Sequence, residues 1–494
     1  MIRLSQKEMI RMEACYDFDM LCIGSGPAGQ SAAIQAAKLG KRVAIVEKRS
    51  SVGGVCLDVG TIPSKTFREA VWSHVTLTGH FERGPAIRLK VERTHRPSME
   101  DLLHRVGMVG QRESLVIEQQ LCRNEVELIQ GEAAFIDQHT LVVTSAEGTR
   151  TVTAANIVIA VGTYPAPPPG VPADGEIILT SDDVVRLRRL PKKLIVVGGG
   201  IIGIEYASMF AALQIEVIVV DKRDRLLEFL DTESVDELMH QMRGRRVTFR
   251  LGEAVEKLEV TSGASKQAIV RLESGKWLVA DQVFFSVGRI GATGGLKLEA
   301  VGVVPDGRGR LVVDKQFRTA VPHIYAVGDV IGYPSLASTS FLQGRLAACY
   351  AFGVEEGPMI EHLPIGIYAV PEVSAIGQSE HELTAKRIPY ETGIARYREI
   401  ARGHILSDDS GFLKLLFHRE DHRLLGVHAV GTGATELIHI GQAVLEFGGG
   451  LRYFLRTVFN YPTLAECYKV AALNAFNKLS AELAGSTQEA KESR

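Results

Sequence analysis

The stretch DFDMLCIGSGPAGQSAAIQAAKLGKRVAIVEK, residues 17–48, decides the fold class. Met20 to Ile23 is a short apolar run that reads as a buried strand. Gly24, Gly26 and Gly29 follow in G-x-G-x-x-G spacing, with Ser25, Pro27 and Ala28 between them. An alanine-rich helix pattern then runs to about Gly40, and a second strand, Arg42 to Val46, ends in Glu47 and Lys48. The first glycine permits a tight turn, the second lets backbone N–H groups approach a pyrophosphate, and the third lets helix and strand pack closely. The helix N-terminus favours the phosphate charge. Glu47 offers a carboxylate to ribose hydroxyls. A glycine-rich turn without a ligand is the plain alternative, but it does not explain strand, helix, strand and acid arriving in order.

The same device returns as KLIVVGGGIIGIEYASMFAALQIEVIVVDKRDR, residues 193–225. The strand Leu194 to Val197 leads into Gly198, Gly200 and Gly203, with Ile201 and Ile202 opening a helix that reaches about Leu213. The strand Val217 to Val220 ends in Asp221. Two copies mean two dinucleotides and an α/β chain with two Rossmann-like domains. Asp221 favours a free ribose 2′-hydroxyl, hence NAD. Lys222 and Arg223, with Arg225 beyond, can accommodate a 2′-phosphate, hence NADP. A merely charged surface loop is the competing reading. The residues do not choose between the nucleotides, and the expectation is that both are used.

Composition narrows the rest. The chain has 494 residues, 46% hydrophobic and 23% charged, with net charge -2, enough for two to four domains. No basic block stands out, so no nucleic-acid partner is expected. Six cysteines are scattered with no C-x-x-C pair, which argues against a disulfide framework or a zinc site. His418 and His422 in FHREDH sit among charges that suggest a solvated turn, so no metal is expected. The first residues lack the apolar core of a secretory signal. The apolar stretch Leu194 to Val220 is broken by glycines and Glu205, a poor membrane span. A cytoplasmic enzyme without a membrane partner is the expectation.

Further landmarks lie between and after the two devices: GGVCLDVGTIPSK (53–65), IVIAVGTYP (157–165), VFFSVGRIG (283–291) and IYAVGDVIG (324–332). Together they resemble the two-dinucleotide-binding-domain flavoprotein disulfide reductases, from about Tyr16 to about Leu479. GTIPSK, DRLLEFLD (224–231), GDVIGYPSLAS (328–338) and FNYPTLAE (459–466) resemble in particular the branch that exchanges hydride between pyridine nucleotides.

The resemblance implies an order. After an extension over 1–15, an FAD-binding domain occupies 16–165 and 289–357 and flanks an NAD(P)-binding domain at 166–288. A C-terminal α+β dimerisation domain at 358–480 makes the protein a homodimer or larger homo-oligomer, and a frayed polar tail covers 481–494. Gly53, Gly54, Val55 and Cys56 would lie along the flavin, with Gly162, Gly288, Arg289 and Gly328 at further cofactor-lining turns. Asp329 would hold the ribityl hydroxyls, and Leu336 and Ala337 would approach the ring. Lys65 would stand near flavin N5 and pair with Glu205, a cation suited to an anionic flavin. A plain salt bridge is the structural alternative. Ile201 stands where many relatives place a tyrosine lid, which suggests easier nucleotide exchange.

Two parts of the disulfide machinery are missing together. Five residues after Cys56 stands Thr61 instead of a second thiol, and the C-terminal H-P-T is replaced by Tyr461-Pro462-Thr463, although Glu466 remains. Without a redox disulfide, electrons stop at the flavin. Reversible hydride transfer between NADPH and NAD+ through flavin N5, in ping-pong order, is then the expected reaction. Cys56, at an expected helix start, is either a thiolate of lowered pKa packed on the flavin or inherited packing. Tyr461 and Glu466 have a structural default. His439, in the helical pattern ATELIHIGQAVLEF, reads as a core or interface histidine. A single-cysteine NAD(P)H-dependent reductase acting on oxygen, quinone or peroxide is the alternative, separable by the effect of Cys56→Ser. A flavin-bound redox-sensing binding protein is another, separable by negligible turnover.

Overall fold

The computed structural model describes residues 16–77, 97–168, 170–262, 266–357, 359–360 and 362–492. The extension expected over 1–15 lies outside the described residues. Two compact units result. One lies within 1–66, 103–166 and 288–359, the other within 67–102, 167–287 and 360–494.

In the first unit, parallel strands lie side by side in the order Glu127–Gln130, Val43–Glu47, Phe18–Ile23, Gly148–Ile159 and Ile324–Ala326. Phe18–Ile23 and Val43–Glu47 are interior strands, which is why they read as almost unbroken apolar runs. Gly148–Ile159 is longer because its first half closes an antiparallel meander with Thr140–Ser145 and Glu132–Phe135. The short strands Thr163–Pro165 and Arg289–Gly291 pair antiparallel, so the chain's exit and re-entry meet at one ladder.

The second unit repeats this plan. Parallel strands follow the order Val247–Leu251, Glu216–Asp221, Lys193–Val197, Gln282–Phe285 and Ile178–Leu179. An antiparallel meander of Val255–Val260, Ala268–Leu272 and Trp277–Ala280 accompanies them. The repeated sequence device is therefore a repeated architecture. The unit also holds a five-stranded antiparallel sheet, in the order Ile365–Ile367, Val373–Gly377, Leu424–Val430, Phe412–His418 and Tyr390–Arg396. Helices Ala434–Glu446 and Glu466–Glu492 pack on that sheet through Leu437, Ile438, Tyr468 and Ala471. The Tyr468 hydroxyl donates to Leu437 O and accepts from Gly441 N, each at 2.9 Å, tying the two helices together.

Of the core and interface readings of His439, the core one falls: the residue is exposed, and its Nδ1 lies 2.7 Å from Gln442 Oε1. It falls on the polar face of its amphipathic helix. The tail over 481–492 continues the helix from Glu466, consistent with its strong helix formers Ala, Glu, Gln and Lys. Arg419, Glu420 and Asp421 are exposed, as the solvated turn predicts. No helix among the described residues is long and apolar enough to cross a membrane.

Candidate active site

Each glycine loop delivers its helix with uncapped amides. Gly26 and Gly200 are the N-cap residues of Pro27–Lys38 and Ile201–Ala212, both extended, and no side chain caps either helix. A Cβ added at Gly26 would have only Gly53 O for a neighbour, at 4.0 Å, and one at Gly200 would meet nothing within 4 Å. Open space thus lies beside unsatisfied N–H groups, the arrangement that takes a pyrophosphate. The third glycines do the opposite. A Cβ at Gly29 would lie 1.9 Å from Gly24 O, and one at Gly203 would lie 1.9 Å from Gly198 O, so helix and turn touch backbone to backbone.

The acids that end the second strands curl back to the loops. Glu47 Oε2 accepts from Ser25 N at 2.9 Å and from the Ser25 hydroxyl at 2.6 Å, and its Oε1 accepts from Arg49 N at 2.9 Å. Asp221 Oδ2 accepts from Gly199 N at 2.6 Å, and Oδ1 accepts from Arg223 N at 2.9 Å. Arg223 adds its guanidinium, with Nε to Oδ1 at 2.9 Å and Nη2 to Oδ2 at 2.7 Å. Burial works against the Asp221 carboxylate, but these donors outweigh it and hold its pKa below the usual range. Lys48 is exposed, with Glu132 Oε1 at 4.0 Å, and Lys222 is exposed as well.

Cys56 lies on the short helix Gly54–Asp58, which starts from Gly53 in the left-handed conformation. The Thr61 side chain and the Ile62 backbone are the polar neighbours that favour its thiolate. The expectation of a lowered thiol pKa is overturned. Burial pushes the thiol up, Asp329 adds to this, and these neighbours together with Lys65 only partly offset it. A five-residue helix has too little aligned dipole to reverse the burial effect. Among the described residues every cysteine is a free thiol.

Asp329 lies in the 3-10 turn Gly328–Ile331, and Gly328 N donates to Gln343 Oε1 at 2.8 Å. Burial raises the Asp329 pKa, against Arg289, Arg310 and a hydrogen bond from Thr163. Arg289 is itself fixed, with Nε donating to Thr163 Oγ1 at 2.8 Å and Nη2 to Thr163 O at 2.9 Å. Thr163 and Arg310 carry no motif signal in the sequence beyond position, one just after Gly162 and the other in the run DGRGR. Leu336 is the N-cap of Ala337–Ala351, and its N–H donates to Thr339 Oγ1 at 3.3 Å. Lys65 is half-buried on Thr61–Leu77. Glu205 is 3% exposed on Ile201–Ala212, and its Oε1 accepts from Tyr368 N at 2.8 Å. Tyr461 is exposed. Glu466, left without the family histidine, keeps a buried Oε2 with no hydrogen-bond partner among the described residues.

Two dinucleotide cradles on repeated α/β units, followed by an α+β domain, define a two-nucleotide redox flavoprotein of the reductase type. Residues 18–344 match the pyridine nucleotide-disulphide oxidoreductase family, and residues 363–472 match its dimerisation domain. The chain belongs to this family. It is 52% identical over 470 residues to the soluble pyridine nucleotide transhydrogenase of Mycobacterium bovis (strain BCG / Pasteur 1173P2), covering 94% of this chain and 98% of that one. It is 43% identical over 473 residues to the soluble pyridine nucleotide transhydrogenase of Klebsiella pneumoniae, covering 95% and 100%. Among solved structures, LpdA from Mycobacterium tuberculosis matches with TM-score 0.83 at 28% identity, over 92% of this chain and 98% of that one. The HOCl-induced flavoprotein disulfide reductase RclA from Escherichia coli matches with TM-score 0.82 at 25% identity, over 92% and 99%.

Proposed function

We propose that this chain is an FAD-dependent pyridine nucleotide transhydrogenase. It moves hydride reversibly between NADPH and NAD+ without a redox disulfide, as a homodimer in the cytoplasm. The observation that carries the reading is Thr61 itself, which stands where a second redox sulfur is expected and leaves Cys56 a free thiol. The full-length likeness to two proteins named soluble pyridine nucleotide transhydrogenase supports the same reading.

FAD, when bound, supplies a two-electron centre that can accept hydride from one nicotinamide and give it to another. The remaining work belongs to the chain. The uncapped amides after Gly26 and Gly200 bind the two pyrophosphates. Glu47 and Asp221 select the riboses. Asp329, held by Arg289, Arg310 and Thr163, takes the ribityl hydroxyls. Lys65 would provide positive charge to the flavin site, where electron density builds on reduction. Cys56, kept protonated by burial, would line the flavin site without carrying electrons.

The test is anaerobic. NADPH and a thionicotinamide analogue of NAD+ are added to FAD-loaded protein, and the reduced analogue is followed by its absorbance, with oxidised lipoamide and glutathione disulfide in parallel. Analogue reduction with inert disulfides is the expected result. NADPH oxidation only when oxygen or a quinone is admitted would instead support the single-cysteine reductase.

A further inference from the structure

The helix Thr61–Leu77 carries Lys65 and, one turn further on along the same face, Arg68. The Arg68 side chain is 6% exposed, yet each nitrogen of its guanidinium has a partner. Nε donates to Ala369 O at 3.3 Å, Nη2 lies 3.0 Å from Glu372 Oε1, and Nη1 meets Glu69. Glu372 is also buried, and its other oxygen is spent on a second helix. There Oε2 accepts from the Thr435 hydroxyl at 2.8 Å and from Thr435 N at 3.2 Å, at the start of Ala434–Glu446.

Ala369 and Glu372 belong to the loop 368–372, between the strands Ile365–Ile367 and Val373–Gly377. The helix Ile201–Ala212 grips the same loop. Glu205 Oε1 accepts from Tyr368 N at 2.8 Å, and Ser208 Oγ accepts from Val370 N at 3.0 Å. The Ser208 hydroxyl in turn donates to Glu205 O at 2.8 Å. One short loop thus anchors both the helix of Glu205 and the helix of Lys65. Stability alone does not explain a buried ion pair, because apolar side chains of similar volume commonly serve as well. What they do not supply is direction. A planar guanidinium bonded at all its nitrogens fixes a helix in rotation and along its axis, as a leucine in the same place would not.

We propose that Arg68 is a positioning residue for hydride transfer. Through Ala369 and Glu372 it sets the helix that carries Lys65, and it does so from the loop that also takes the Glu205 carboxylate. This role rests on the proposed function for the place of Lys65 at the flavin site, and goes beyond it in naming what aims that lysine. Loss of the Arg68–Glu372 pair should therefore cost rate even where stability is restored, and should leave nucleotide binding as it was.

The test compares FAD-loaded, full-length wild type with Arg68→Met, Glu372→Gln and the variant carrying both changes. Reduction of bound FAD by NADPH is followed anaerobically by stopped-flow absorbance and expressed per bound flavin. The midpoint potential of the bound flavin is measured separately against redox dyes, and stability by urea unfolding. Each single change leaves one buried charge without its partner, so both single variants unfold at lower urea than wild type. The double variant, neutral at both positions, regains much of the urea midpoint. Its flavin reduction nevertheless stays slowed by about tenfold or more, the scale of a displaced reacting geometry, while the Kd for NADPH is unchanged. Its midpoint potential moves negative, because the cation that favours the reduced flavin is displaced. Return of rate and potential to wild type together with stability would make the pair purely structural and overturn the proposal. A wild-type reduction rate per bound flavin in Arg68→Met, whatever its stability, would overturn it as well, and so would weaker NADPH binding in place of slower reduction. Only the reductive half of the reaction is read. A wild-type protein that reduces its flavin with NADPH but passes no hydride to NAD+ would therefore sink the functional reading and leave the role of Arg68 intact.

Discussion

Cys56, on the short helix Gly54–Asp58, is followed by Thr61 at the start of the next helix, the place that would otherwise supply the second sulfur of a disulfide. A hydroxyl in that place cannot be oxidised to a bridge, and burial keeps the thiol protonated at neutral pH. Cys56→Ser should therefore keep the transhydrogenation rate within about threefold of wild type, a change in packing without the loss of a reacting group. Alkylation by iodoacetamide, with the site identified by mass spectrometry, should be slow at pH 7 and rise steeply on the alkaline side. Fast labelling at neutral pH, or collapse of activity in the serine variant, would restore the thiolate and with it the reductase reading.

Lys65 tests the electrostatic part of the mechanism. Lys65→Met keeps most of the side-chain volume and removes the charge. Stopped-flow absorbance should show reduction of bound FAD by NADPH slowed by about a hundredfold, the scale of losing one stabilising group at a site of developing charge. The Kd for NADPH should change little. Equal rates in the two proteins would remove Lys65 from the chemistry.

The paired glycines separate the two cofactors. An alanine methyl at residue 29 or 203 would collide with backbone oxygen, at 1.9 Å in each case, and backbone cannot move as a flexible side chain does. Gly29→Ala should purify with little FAD. Gly203→Ala should retain FAD and its visible spectrum but bind NADPH about tenfold more weakly, the effect of a strained close contact of 1–2 kcal/mol. Loss of FAD from the Gly203 variant would contradict the assignment of cradles to cofactors.

What the sequence revealed follows from what is local. Strand, glycine turn, helix, strand and acid lie within about thirty residues of one another, and their order carries their meaning. Both copies fold as read, with boundaries displaced by a residue or two: Arg42 lies before its strand, and Lys193 begins the strand expected from Leu194. Arg223 was read as a cation near a phosphate, but its folding onto Asp221 was not. Residue 199 is a glycine where the first copy has Ser25, a contrast the two motifs show, but the way the loop meets the acid depends on the fold. The Arg310 and Thr163 contacts of Asp329, and the ion pair of Lys414 with Asp231, join residues 19 to 183 positions apart. No local pattern encodes such meetings. For Lys414 a signal did exist, a lone charge inside the apolar run FLKLLF.

Lys414 Nζ lies 2.9 Å from Asp231 Oδ1 and 3.2 Å from Glu233 Oε2, with Glu380 also in contact, and the Lys414 and Asp231 side chains are each 1% exposed. His428 stands directly opposite Lys414 across the strand pair, its Nε2 3.1 Å from Gln378 O. Burial opposes charge on both Asp231 and Lys414, yet Asp231 is held below the usual carboxylate range by its cationic neighbours, and Lys414 is raised by Glu380 and Asp231. His428 is lowered, chiefly by burial, and is neutral at pH 7, which leaves Lys414 as the cation that matters there. Removing it in Lys414→Met strands a buried carboxylate and should destabilise by about 3 kcal/mol, the lower end for a broken buried pair because Glu233 and Glu380 remain partly hydrated. The pH dependence has a definite sign. His428 and Asp231 both have depressed values in the folded state, so their stabilisation is present above the unfolded values of about 6.5 and 3.9 and is lost as pH falls through each. Lys414, raised, contributes below about 10.4 and loses its contribution as pH rises further. Wild type should therefore unfold at lower denaturant concentration at pH 5 than at pH 7. In Lys414→Met, burial without its cation pushes Asp231 upward, so acidification relieves part of the strain and the gap between variant and wild type should shrink from pH 7 to pH 5. Urea unfolding followed by circular dichroism at the two pH values measures both differences. A gap that is constant or widens on acidification would show that Lys414 does not hold the Asp231 charge.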